Sequence, residues 1–170
     1  MTFTKQLETK IGGLFKSAPP LPENAKKTLV NAWPWIALIF GILQLLAAWG
    51  LWNLTRYVDS ISDLSNTVSM YYNQQSVGLS SMDKIFIYLA LIVLVVDAVI
   101  LLMAYPELKK KTKAGWDLLF LGSLINAAYA VVSLFIDGRG PSTFVFSLIG
   151  SAVGFYLLFQ VKDHYSVKKT

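Results

Sequence analysis

The chain has no cysteine and a single histidine. Disulfides, thiol catalysis and cysteine metal sites are therefore excluded. His164 stands in a polar tail, where a lone imidazole is ordinarily solvated rather than catalytic. No nucleotide-binding loop, metal cluster or hydrolase triad can be found along the chain. Charge is also scarce, and from four long stretches it is almost missing. Residues 33–54, 85–105, 116–136 and 143–161 carry two charged side chains, Asp97 and Asp117.

What is there is apolar. The hydrophobic fraction is 55%, and a mean hydropathy of +0.53 places the chain with membrane proteins. A helix rises 1.5 Å per residue, so about 20 apolar residues cross a bilayer. Each of the four stretches meets that length. The expected fold is all-α: an antiparallel four-helix transmembrane bundle, with residues 1–30 as a cytoplasmic amphipathic helix and linker and residues 31–170 as the four-span domain. The first apolar run is too long for the core of a cleavable signal and is expected to stay as a signal anchor.

The formal net charge is +5, but its distribution argues against nucleic acid. Lys5, Lys10, Lys16, Lys26 and Lys27 precede span one. Lys109, Lys110, Lys111 and Lys113 separate spans two and three. Lys162, Lys168 and Lys169 follow span four. The other side holds Arg56, Lys84 and Arg139. Basic loops stay on the cytoplasmic side, so both termini are expected there, with membrane lipids as the partners of the lysines.

Residues 2–16 form a separate element. Phe3, Leu7, Ile11, Leu14 and Phe15 recur at helical spacing, away from Lys5, Glu8 and Lys10. That pattern predicts an interfacial helix contacting the membrane surface through those five residues. The sharper alternative is a gating or pore-lining helix. Pro19, Pro20 and Pro22 then make an extended spacer, and Pro22-Glu23 suits the start of the next helix. Tyr57, Ile61, Leu64, Val68 and Tyr71 keep a helical rhythm, so helix one is expected to continue beyond the bilayer. Pro106 is expected to end helix two, and Asp137-Gly138-Arg139-Gly140-Pro141 reads as a tight external turn. Trp33, Trp35, Tyr105 and Trp116 on one side, and Trp49, Trp52 and Tyr57 on the other, read as interfacial anchors. A faint repeat pairs Trp35 and Gly41 with Trp116 and Gly122.

The polar residues of the spans fall at one depth. Gln44, Asp97, Asn126 and Ser151 each lie near the centre of their span. Buried polar groups in hydrocarbon need partners, so four at one level predict a shared network, with Tyr129 as a further partner for Asp97. Small residues at Gly41, Gly122, Gly150 and Gly154 mark close helix approaches. Two readings of Asp97 compete. It is structural glue, protonated or hydrogen-bonded to fix helix register, or it is a proton or cation site, the default for an intramembrane carboxylate. Asp117 falls in the first turn of helix three, where the helix dipole favours a carboxylate. Its depth differs from that of Asp97 by about half a bilayer, which excludes an aspartyl-protease pair.

The patterns Asn31-Ala32-Trp33-Pro34-Trp35, Gly115-Trp116-Asp117-Leu118-Leu119-Phe120 and Leu157-Leu158-Phe159-Gln160-Val161 resemble those of small, uncharacterised four-span bacterial membrane proteins. The resemblance implies a bacterial plasma membrane and carries no activity. The functional expectation is a non-enzymatic, self-associating interaction or scaffold protein without cofactor or metal. The alternative is an oligomeric channel or transporter for a proton, cation or small solute, using the polar layer around Asp97.

Overall fold

The computed structural model describes residues 3–72, 81–132 and 141–165, and of these the side chains of all but 3, 68, 71, 72 and 141–144. The described residues form five helices and no strand. They are α1 (Phe3–Leu14), α2 (Glu23–Tyr72), α3 (Ser81–Lys109), α4 (Lys113–Val132) and α5 (Pro141–Gln160), followed by a 3-10 turn at Lys162–His164. α2, α3 and α4 are long and apolar enough to cross a membrane. The described apolar part of α5, Val145–Gln160, is shorter. The Asp137–Gly140 turn lies outside the described residues.

The helices pack antiparallel in chain order. α2 lies on α3, α3 on α4 and α4 on α5. α2 and α5 share no comparable interface, so the four long helices make an open arc. Two glycines let neighbours close on α3. A methyl group on Gly41 would stand 3.0 Å from Leu102 Cγ, and one on Gly122 would stand 2.8 Å from Asp97 Oδ1.

The core gathers at the lysine-rich end. Val30, Leu108, Trp116, Phe120, Leu158, Val161 and Tyr165 are all but completely buried there. Trp116 stacks on Phe120 with centroids 5.3 Å apart. Its indole N–H donates to Leu158 O at 2.8 Å. Trp116 is thus a core residue with 0% exposure, not the interfacial anchor expected from its position. Its equivalent in the faint repeat, Trp35, is 52% exposed, so the two do not play matching roles. An apolar residue near a span end looks the same in sequence whether it meets lipid or protein.

Pro106 does not end α3, which continues to Lys109. Proline removes its own N–H but not its carbonyl, and Lys110 N–H donates to Pro106 O at 3.2 Å. The stop comes next. Lys111 adopts a left-handed φ of 56°. Its N–H reaches Leu108 O at 3.0 Å, and Thr112 N–H reaches Glu107 O at 3.0 Å. This is a Schellman closure with lysine where glycine is usual. Thr112 then caps α4, its hydroxyl oxygen accepting from Gly115 N–H at 3.3 Å.

Pro34 lies inside α2, which runs unbroken for 50 residues. Its far part is tied to α3 by Asp59 and Lys84, 2.7 Å apart. The Asp59 hydrogen bond and charge hold the Lys84 ammonium above its ordinary range.

Candidate functional site: a polar cluster on a lateral cleft

Asp97 is 2% exposed. Its face of α3 carries Ala98 and Ala104, both fully buried, while Ile92, Val95 and Val99 point outward. Two amides converge on one of its oxygens. Gln44 Nε2 donates to Asp97 Oδ2 at 2.6 Å, and Asn126 Nδ2 donates to the same oxygen at 2.9 Å. Asn126 Nδ2 also reaches Gly122 O at 3.1 Å, which fixes its side chain against α4. The cluster therefore joins α2, α3 and α4 near their centres.

The other carboxylate oxygen is different. Asp97 Oδ1 is buried and has no hydrogen-bond partner among the described residues, and the same is true of Gln44 Oε1. Both residues line a cavity of about 430 Å³. Its walls are Trp33, Ile36, Ala37 and Phe40 from α2, Leu101 from α3, Leu119, Gly122, Ser123 and Asn126 from α4, and Gly150, Gly154 and Leu158 from α5. Nothing lies within 4 Å of a methyl group built on Gly150 or Gly154. The cavity is thus a cleft between α2 and α5, with the Asp97 cluster on its floor and bare glycines on one wall. The Trp33 indole N–H, also buried without a partner, stands towards its lysine-rich end.

The expected polar layer is therefore three residues wide rather than four. Ser151 is half-buried and takes no part in the Asp97 hydrogen bonds, because α5 turns Gly150 and Gly154 to the cleft and the next residue is rotated by about 100°. Tyr129 stands half-buried on α4, about one turn beyond Asn126. The donors to Asp97 come from Gln44 and Asn126. Among the described residues a methyl group built on Gly150 or Gly154 meets no neighbouring helix, unlike one on Gly41 or Gly122. Asp117 is held instead by Lys113, at 2.5 Å.

A second constellation escaped the sequence. Leu7, Ile11 and Phe15 of the N-terminal element pack against the core, Phe15 stacking on Phe159 with centroids 6.1 Å apart. The stripe expected to meet the membrane surface is largely spent on protein. Leu14 remains 75% exposed, and the side chain of Phe3 lies outside the described residues. On the same helix the Glu8 side chain, 16% exposed, sits 2.7 Å from Lys162 Nζ and 3.3 Å from Lys113 Nζ. Burial pushes the Glu8 carboxyl up, but the Lys162 hydrogen bond and the charges of both lysines outweigh it and hold it below its ordinary range. The spacer is fastened too: Tyr156 OH donates to Pro19 O at 2.7 Å and Leu21 N–H to Gln160 Oε1 at 3.1 Å. Partners more than a hundred residues apart leave no local signal.

A carboxyl with a lowered pKa stabilises the docked form above its unfolded pKa, and that stabilisation is lost as pH falls through the folded value. Docking of α1 is thus expected to hold at neutral pH and to weaken on acidification below the ordinary value of 4.5. Glu8→Gln should loosen α1 at neutral pH, and the difference from wild type should vanish as the carboxyl is protonated on acidification. The lysines are partly solvated, so the loss is about 1 kcal/mol, read as roughly fivefold faster amide exchange over residues 3–14. Unchanged exchange in this variant would show that the aromatic contacts alone hold the helix.

Among the described residues no group of three His, Asp or Glu side chains gathers as a metal site. No family model, curated protein or solved structure matches this chain.

Proposed function

We propose that this is a non-enzymatic integral membrane protein that works by association within the bilayer, with itself as the first partner. The observation that carries the reading is the unfilled α5 face. Gly150 and Gly154 form a small-residue pair at i, i+4, open to approach, on a helix whose main long-helix partner is α4. Small residues allow close backbone contact between membrane helices, where dispersion and weak hydrogen bonds drive association. α5 is 20 residues long, about 30 Å, enough to serve as the fourth span of a bundle. Replacing Gly154 with leucine should lower the mass of the particle in mild detergent. An unchanged mass and melting profile would remove this face as the interface.

The lysine distribution supports a bacterial inner-membrane location with both termini in the cytoplasm. A periplasm-active phosphatase fused after Thr170 should be silent, and the same reporter placed in the 73–80 segment should be active. The reverse pattern would invert the topology.

A second reading, an oligomeric channel or transporter for a proton, cation or small solute, is favoured by one specific feature. Among the described residues Asp97 Oδ1 and Gln44 Oε1 both lack partners and both residues line the same cleft. Structural glue alone would be expected to satisfy them.

A further inference from the structure

We propose that the cleft between α2 and α5 binds a lipophilic amine, its ammonium group on Asp97 and Gln44 and its apolar body along the cleft. The inference rests on the second reading above and names the chemical class that the site would take.

Gln44 Nε2 and Asn126 Nδ2 both donate to Asp97 Oδ2. They turn the carboxylate so that Oδ1 is left over, beside Gly122. Leaving a buried acceptor unpaired is costly, and a buried carboxylate more so. Gln44 supplies a second buried acceptor without a partner. The deficit is thus two acceptors and one negative charge. No lysine, arginine or histidine is among the described residues lining the cavity. An ammonium group brings several N–H donors and a positive charge, and so meets the whole deficit.

Other ligand classes fit less well. A carboxylate or phosphate would repel Asp97 and leave both acceptors unpaired. A neutral alcohol has one donor and no charge. A metal cation demands about six oxygen ligands, and the remaining walls are Ile36, Phe40, Leu101, Leu119 and Leu158. Those walls suit hydrocarbon or an aromatic body. A volume of about 430 Å³ falls within the range of small-molecule sites. The bare edge at Gly150 and Gly154 gives access from the bilayer, where an amphiphilic amine concentrates.

A proton is the competing occupant. A protonated Asp97 would donate from Oδ1 and lift the charge without any ligand. The test must therefore separate charge from hydrogen bonding. The full chain is placed in phosphatidylcholine nanodiscs and titrated with dansylcadaverine, a primary amine with an aromatic body. Binding is read as energy transfer from tryptophan, Trp33 being part of the wall, with empty discs subtracted. The expected result is saturable transfer, displaced by octylamine but not by octanol at the same concentration. Asp97→Asn should weaken binding at least tenfold with an unaltered melting profile. Gly122→Ala should weaken it as well, since the added methyl would stand 2.8 Å from Oδ1.

Transfer no greater than with empty discs would overturn the proposal. Equal displacement by octanol would do the same, and needs no variant that folds. Undiminished binding by a folded Asp97→Asn protein would also overturn it. A proton-flux assay on the same preparation in liposomes keeps the two ideas apart. Flux without amine binding removes the amine site and leaves transport standing. Amine binding without flux removes transport and leaves the site.

Discussion

Replacing Asp97 with leucine is expected to destabilise the bundle by about 1–3 kcal/mol, whereas replacing it with asparagine should leave the fold intact. Leucine removes the oxygen that receives both Gln44 Nε2 and Asn126 Nδ2. Gln44 Nε2 is then stranded next to an apolar side chain, Asn126 Nδ2 keeps only Gly122 O, and hydrocarbon supplies no substitute partner. Asparagine retains the shape and one acceptor oxygen for both donors. Its new N–H₂ falls where Oδ1 stands, so it removes the charge without adding bulk. Thermal unfolding in nanodiscs should therefore rank wild type and Asp97→Asn together and Asp97→Leu well below. Function is expected to part from stability. If the channel or transporter reading holds, Asp97→Asn folds but loses proton or cation flux in liposomes. Equal stability of the leucine variant would show that the cluster does not hold the helices in register.

The second large effect is expected at Gly115. A methyl group there would stand 2.7 Å from Leu108 N and 2.8 Å from Glu107 C. Both are backbone atoms of the last turn of α3, locked by the hydrogen bonds around Lys111 and Thr112. Neither can rotate aside as a side chain would. Gly115→Ala must therefore push the α3–α4 hairpin apart next to Trp116, at a cost of about 1–3 kcal/mol, and Gly115→Val should cost more. Gly50 is the control. It also lies within a helix, but a methyl group there meets nothing within 4 Å. Gly50→Ala should be neutral or stabilising by up to about 1 kcal/mol, from helix propensity. Similar losses at both glycines would mean that the tight hairpin is not what limits position 115.

The spans and the polar centre are the parts most legible in the sequence. Apolar runs announce α2, α3 and α4 because hydrocarbon thickness sets their length. Gln44, Asp97 and Asn126 stand out because polar residues are rare there and must share one depth to pair. Less legible is which apolar surface meets protein. Trp116 and Trp35 occupy similar places in their runs, yet one is core and the other is exposed. The α1 stripe of Leu7, Ile11 and Phe15 has the same periodicity whether it lies on lipid or on Phe159. Its docking also joins Glu8 to Lys113 and Lys162, and no local pattern ties those three together. Ser151 was expected in the polar layer from depth alone. Depth does not give rotation about the axis, and α5 presents glycines there instead.

The continuity of α2 has a mechanical consequence. No proline interrupts it from Trp35 to Tyr72. From Gln44 to its far end it extends 28 residues, about 42 Å, while half the hydrocarbon core accounts for only about 15 Å. A tilt of about 10° at Gln44 would sweep the tip by roughly 7 Å. A change of tilt at that level would therefore be felt most at the far part of α2, where the Asp59–Lys84 pair ties it to α3.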